Sequence, residues 1–244
     1  MDEKNEYIDF LKKFESLLPA RPKAIVFFSA HFESQTQIIS CPKKFDTIYD
    51  FYGFPEKYYK MKYPAEGDPK VAAEVQALLK ENGIETKMDT KRGLDHGAWT
   101  ILMLMYPKAD IPIVSMSVNP YAPHEELYNI GKALAPLKEK GVLIIGSGSL
   151  LHNFNKFRWN AFKADDWAVE FSEWMNKRIL DWNTKELYDY RKLTPLGKVA
   201  APSEEHFVPY LYPMGAGDKA KKPVLLHNQI VYGGMLYALY KFEL

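Results

Sequence analysis

The chain has 244 residues, 47% hydrophobic and 26% charged, an ordinary globular composition able to bury a core without disulfides or a structural metal. Lys plus Arg total 32 against 31 Asp plus Glu, and this +1 balance gives no electrostatic reason to expect nucleic acid or an anionic membrane as partner. The one cysteine, Cys41, excludes an intrachain disulfide and fits a reducing cytoplasm, and no apolar run reaches the roughly 18 residues of a membrane span.

The first residues, Met-Asp-Glu-Lys-Asn-Glu, lack the apolar stretch of a signal peptide. Tyr7, Phe10, Leu11, Phe14, Leu17 and Leu18 recur at helical spacing, and Pro22 stops that helix. Ala24 to Phe28 is a buried strand running into Ser29-Ala30-His31. Pro42 to Pro64 is rich in aromatics and prolines, the pattern of a structured loop that contributes to a pocket. Asp68-Pro69 caps a helix that stops at Asn82-Gly83, with Val71, Ala72, Val75, Leu78 and Leu79 as its apolar stripe. A helix begun near Ala98 ends at Met105-Tyr106-Pro107, and Ile111 to Met116 reads as a second buried strand. Leu127, Ile130, Leu134 and Leu137 mark a helix ended near Gly141, and Val142 to Ile145 is the third buried strand. Asp165 to Leu180 is amphipathic, and Gln229 to Tyr232 and Tyr237 to Phe242 read as two late strands around Gly233-Gly234. The alternation predicts an α/β fold with a largely parallel sheet covered by helices. With no repeat, linker or composition shift, residues 1–244 read as a single domain.

Of the six histidines, His31 follows the first buried strand and His152 the third. Ligands of open α/β sheets bind outside the carboxyl ends of strands, so residues placed there by separate strands converge in space. His96 lies in the glycine-bracketed Gly93-Leu94-Asp95-His96-Gly97, and His206 near an expected helix start capped by Ser203. A histidine on a loop is more often solvated or simply hydrogen-bonded than catalytic, and His124 and His227 read as structural or surface residues. There is no H-E-x-x-H, C-x-x-C or G-x-S-x-G. Gly146-Ser147-Gly148-Ser149 is only loosely like a phosphate loop, because no lysine follows in the required place.

Five segments in order carry a resemblance. They are Pro22-Lys23-Ala24-Ile25 leading to Ser29-Ala30-His31; Ile48-Tyr49-Asp50-Phe51-Tyr52-Gly53-Phe54-Pro55; Arg92 to Trp99 around Asp95-His96-Gly97; Gly141 to Ser149 leading to His152-Asn153; and Pro202-Ser203-Glu204-Glu205-His206. Together they resemble the DOPA-dioxygenase-like branch of the class III extradiol ring-cleavage dioxygenases, the LigB-type superfamily. The resemblance implies a three-layer α/β/α domain holding one divalent metal. His31 and His206 carry over as metal ligands. His152 carries over to the metal site in this branch and to a catalytic acid/base in the wider superfamily, and both roles stay open. His96 carries over as an acid/base beside the metal. Tyr49, Phe51 and Tyr52 are expected to pack on the substrate ring.

The family pattern opens with a strand ending in H-G-x-P, whose histidine is another metal ligand, and Met1 falls after that proline. The expectation is a chain without that first strand and ligand, through a misplaced start site, which is favoured, through trimming or through true loss of the ligand, with apolar surface and backbone pairing sites exposed and with little turnover as it stands. Imidazole suits Fe(II) and Zn(II) alike; ring cleavage needs a redox metal, so Fe(II) is expected for activity and Zn(II) can occupy the isolated protein. The implied partners are a small aromatic diol and O2, the implied product a muconic semialdehyde, and the chain leaves room for a homo-oligomer. The rivals are a non-catalytic metal- or ligand-binding protein on this fold and a metal-dependent hydrolase on a similar scaffold.

Overall fold

The computed structural model describes residues 5–243. In chain order the elements are α1 (Glu6–Lys12), β1 (Ala24–Glu33), β2 (Gln37–Ser40), α2 (Pro69–Glu81), β3 (Thr86–Asp89), α3 (His96–Met105), β4 (Ile113–Val118), α4 (His124–Ala133), α5 (Pro136–Glu139) and β5 (Val142–Ser147). They continue with α6 (Asp166–Leu180), α7 (Thr184–Tyr188), α8 (Tyr190–Leu193), α9 (Gly197–Ala200), α10 (Leu211–Ala216), β6 (Pro223–Val231) and β7 (Met235–Phe242). The expected opening helix is shorter than its apolar period. The Lys13 N–H bonds back to Phe10 O at 3.0 Å, and the remaining turn, Phe14–Leu17, is a 3-10 helix. Helix α2 has the boundaries its punctuation predicts. Asp68 accepts from the N–H groups of Lys70 and Val71, Pro69 occupies the first turn, and Gly83 follows with φ +75°.

Five strands form one sheet in the order β3-β2-β4-β1-β5, and β6 and β7 form a separate antiparallel pair. Only the β2–β4 pairing in the larger sheet is antiparallel. The result is the expected α/β architecture with a mostly parallel sheet between helices. Alternate side chains of β1 serve opposite layers, as a strand's period of two requires. Val26 and Phe28 join Val114 and Met116 in a core with Val75, Leu127, Phe171, Leu211 and Tyr212. Ile25 and Phe27 join Ile113 in a second core with Leu11, Trp99 and Leu102. The rings of Phe28 and Tyr212 stack with centroids 4.0 Å apart, which ties β1 to α10.

The outer edge of β5 pairs with no strand among the described residues. That edge and β7 both line a cavity of about 1870 Å³ that continues to the carboxyl ends of β1 and β5. The expected missing first strand concerns chain ahead of Met1 and lies outside the described residues.

Candidate metal centre

His31 does not follow the first strand; it lies within it, because β1 extends to Glu33. The register of β1 against β4 breaks between Phe28 and Glu33, so the regular ladder is interrupted where His31 sits. The segment is held by buried polar bonds instead. Ser29 Oγ donates to Asp95 Oδ1 at 2.5 Å and accepts from the His31 N–H at 3.2 Å, and Arg92 Nη2 donates to the His31 carbonyl at 3.0 Å. The Arg92 guanidinium also covers the ring of Phe32 at 4.1 Å.

His96 is the first residue of α3, two positions ahead of the helix start expected near Ala98. The N-cap residue, Asp95, gives α3 no side-chain cap, since its carboxylate accepts from Ser29 and Arg92. Asp50 supplies that cap from the aromatic loop, accepting the His96 backbone N–H at 2.8 Å. The same Asp50 oxygen stands 3.0 Å from His96 Nδ1, and the other stands 3.3 Å from His31 Nδ1. The loop reaches this position through paired backbone bonds, Ile48 N to Leu94 O at 2.8 Å and Leu94 N to Asp46 O at 2.9 Å. Trp99 Nε1 fastens it with a 2.9 Å bond to Ile48 O.

His152 and His206 meet from the other side. The Ser149 N–H donates to the His206 carbonyl at 2.8 Å, and the His152 N–H donates to Ala200 O at 2.8 Å. Glycine makes the approach possible. A Cβ on Gly148 would lie 2.1 Å from the His206 carbonyl oxygen, and one on Gly146 would lie 1.9 Å from that of Pro209. Gly146-Ser147-Gly148 is therefore a seat for the His206 segment rather than a phosphate cradle. Residues 205–207 form a turn, not the helix start expected there, because Ser203 Oγ donates to Glu205 Oε1 at 2.8 Å instead of capping a backbone. Glu205 Oε1 in turn lies 3.1 Å from His206 Nδ1.

The four imidazoles converge. Ring centroids of His31 and His96 are 4.1 Å apart, those of His31 and His206 5.2 Å, and those of His152 and His206 3.5 Å in a parallel stack. Two sets of donor atoms, His31–Asp50–His96 and His152–Glu205–His206, each lie within 4.8 Å of one another. Burial, followed by repulsion from the neighbouring His96 and His206, pushes the His31 pKa down to about 4. Burial and then His206 push that of His152 down to about 3. Both rings are thus neutral at pH 7, the form that offers a lone pair to a metal. Burial works to raise the Asp50 pKa, but the His96 ring and backbone N–H outweigh it and hold the carboxyl at about 2. The bond from His206 does most to hold Glu205 at about 2. These two carboxylates were not singled out from the sequence. Asp50 stood inside a matching segment and Glu205 directly before a named histidine, but neither position announces a partner far away in the chain.

The residues of the aromatic loop divide. Phe51 lines the cavity with its ring centroid 5.5 Å from that of His96, and Tyr52 lines it at the mouth, 92% exposed. Tyr49 stands behind them, its hydroxyl donating to Met61 O at 2.5 Å and its ring edge-on to Trp99. Phe154 and Trp159 face the same cavity after β5. His124 is structural. Its Nδ1 lies 2.8 Å from Tyr188 O and its Nε2 3.2 Å from Glu204, which joins α4 to the segment before His206. His227 lies within β6, its ring between those of Tyr7 and Phe10 and remote from the other four.

Comparison with known proteins gives one family. Residues 2–242 match the model of the LigB family, described as the catalytic LigB subunit of aromatic ring-opening dioxygenase. A 4,5-DOPA dioxygenase extradiol from Beta vulgaris is 42% identical over 229 residues, covering 93% of this chain and 85% of that protein. The protein of the same description from Escherichia coli K12 is 33% identical over 243 residues, covering 97% of this chain and 88% of its own. A crystal structure of an uncharacterized Escherichia coli K12 protein superposes with a TM-score of 0.83 at 29% identity, covering 98% of this chain and 93% of that one.

Proposed function

Since the chain belongs to the LigB family and is an aromatic ring-opening dioxygenase of the extradiol type, we propose that it opens the ring of a catechol, at an Fe(II) ion held by its histidines, to give a muconic semialdehyde. The observation that carries this reading is the meeting of imidazoles from four segments far apart in sequence at one end of the sheet. The donor set fits such an ion. His31 and His152 offer neutral nitrogen and His206 brings a third imidazole, and carboxylates stand at the back of His31 and His206 to balance charge. Fe(II), when bound, supplies the redox chemistry that joins the diol to O2, which Zn(II) in the same ligands does not.

The protein's own groups do the rest. His96, at the edge of the cluster beside Phe51, is placed to take a phenolic proton and return one as the ring opens. His152 serves as ligand or as a second acid/base. Phe51 and Tyr52 pack on the substrate ring, and Tyr49 fixes Phe51 from behind. Phe51, Phe54, Phe154 and Trp159 line the cavity and offer the diol an apolar face.

The test is anaerobic loading with Fe(II), addition of DOPA or protocatechuate, and then air, on the chain and on a form given an N-terminal strand that ends in H-G-x-P. Oxygen uptake with a yellow semialdehyde is expected from the form that carries the added histidine, and little turnover from the chain as it stands. Neither signal from either form overturns the reading.

A further inference from the structure

We propose that Asp50 is the residue that positions this site: one carboxylate sets the tautomer and aim of both His31 and His96. The inference rests on the metal reading above and goes beyond it, since it assigns a role to a residue outside the histidine set.

Three distances carry it. Asp50 Oδ1 accepts the His96 backbone N–H at 2.8 Å and stands 3.0 Å from His96 Nδ1, and Oδ2 stands 3.3 Å from His31 Nδ1. Among the described residues the buried Nδ1 of His96 has no aligned hydrogen-bond partner, and Asp50 Oδ1, at 3.0 Å, is the acceptor within its reach. An ionised carboxylate only accepts, so a neutral imidazole facing it carries its proton on Nδ1. Each ring then presents a bare Nε2 on its far side. For His31 that is the lone pair a metal takes, and for His96 it is the site that takes a proton from substrate. Metal-bound imidazoles commonly donate their second N–H to a carboxylate in this way.

The carboxylate is itself fixed. It closes the N-terminus of α3, where the free N–H groups and the helix dipole favour an anion, and where Asp95 is occupied elsewhere. The surrounding loop is pinned by Ile48, Leu94 and Trp99. His31 and His96 are thereby referred to one rigid point, although one belongs to a strand and the other to a helix.

Asp50→Asn tests this, because an amide can turn a donor toward Nδ1 and so drive the proton to Nε2. Two readouts are needed: long-range proton–nitrogen NMR of the imidazoles in the metal-free protein, and Co(II) affinity by chelator competition. The wild type should show His31 and His96 protonated on Nδ1. Asp50→Asn should move the proton to Nε2 and weaken Co(II) binding by about 10- to 100-fold, the range typical of a residue behind a ligand. Asp50→Glu should recover part of the affinity. Wild-type rings already protonated on Nε2 overturn the proposal, whether or not the variants fold. So does Asp50→Asn binding Co(II) as tightly as wild type. Loss of binding as complete as in His31→Ala also overturns it, by making Asp50 a ligand. Wild type that binds no Co(II) fails the metal reading itself.

Discussion

At the scale of single residues, the centre depends on neutral rings in a crowded place. His31 and His206 are the two histidines that face each other across the cluster, with ring centroids 5.2 Å apart. Replacing either with alanine should lower Co(II) or Fe(II) affinity by more than about 100-fold, since a ligand counts for more than the partner behind it. His152→Ala should also weaken metal binding, as read by the same chelator competition. Retained affinity with lost turnover would make that residue an acid/base instead. Acid should undo the fold here as well. The folded protein holds His31 at about 4 and His152 at about 3, below the ordinary value of about 6.5 for a free ring. Between those values the unfolded chain binds more protons than the folded one, so the histidine contribution falls as pH drops below about 6.5 and levels off below about 3, while the depressed Asp50 and Glu205 carboxyls carry the loss on toward about 2. Thermal melting of the metal-free protein between pH 8 and pH 4 reads this, and the His31→Phe variant should show a shallower decline.

At the scale of elements, α2, α3, α4, α6 and the three apolar strands could be read from the sequence because period and punctuation agreed there. Strands β2 and β3 could not. Each has four residues; Ile38-Ile39 is too short an apolar run to declare a strand, Met88 stands alone between Lys87 and Asp89, and pairing with neighbours makes them strands. Helix α3 starts two residues ahead of the position its sequence predicts, because its cap comes from Asp50, 46 positions away, rather than from a local side chain. The histidines stand out in the sequence because they lie close to the ends of apolar runs or in recognisable segments, although His31 proves to lie inside β1. Their carboxylate partners were not, because only the folded loop brings Asp50 to His31. The Gly148 seat offers an element-level test. Gly148→Ala places a methyl 2.1 Å from the His206 carbonyl, so backbone must shift. We expect a loss of about 1–3 kcal/mol in stability, read by urea unfolding, together with weaker metal binding from displacement of His206. Phe28→Ala, which removes the ring stacked on Tyr212, should cost about 3–5 kcal/mol while leaving the four histidines in place.

At the scale of the molecule, the two cores flank one sheet and the histidines close one end of it, so metal and fold should report on each other. Saturation at about 100 times the dissociation constant should add about 2.7 kcal/mol of stability, and a chelator should remove it; a thermal melt with and without Co(II) measures this. Among the described residues no helix is long and apolar enough to cross a membrane. The rival readings, a passive binding protein or a hydrolase, give way to a chain whose relatives are described as dioxygenases across nearly its full length. The free margin of β5 has a consequence for how the molecule breathes. In a parallel sheet the slowest amides to take up deuterium belong to strands flanked on both sides. Here that protection should centre on β1 and β4, and the outward N–H groups of Val142 to Ser147 should exchange far sooner than their depth in the chain's topology would suggest.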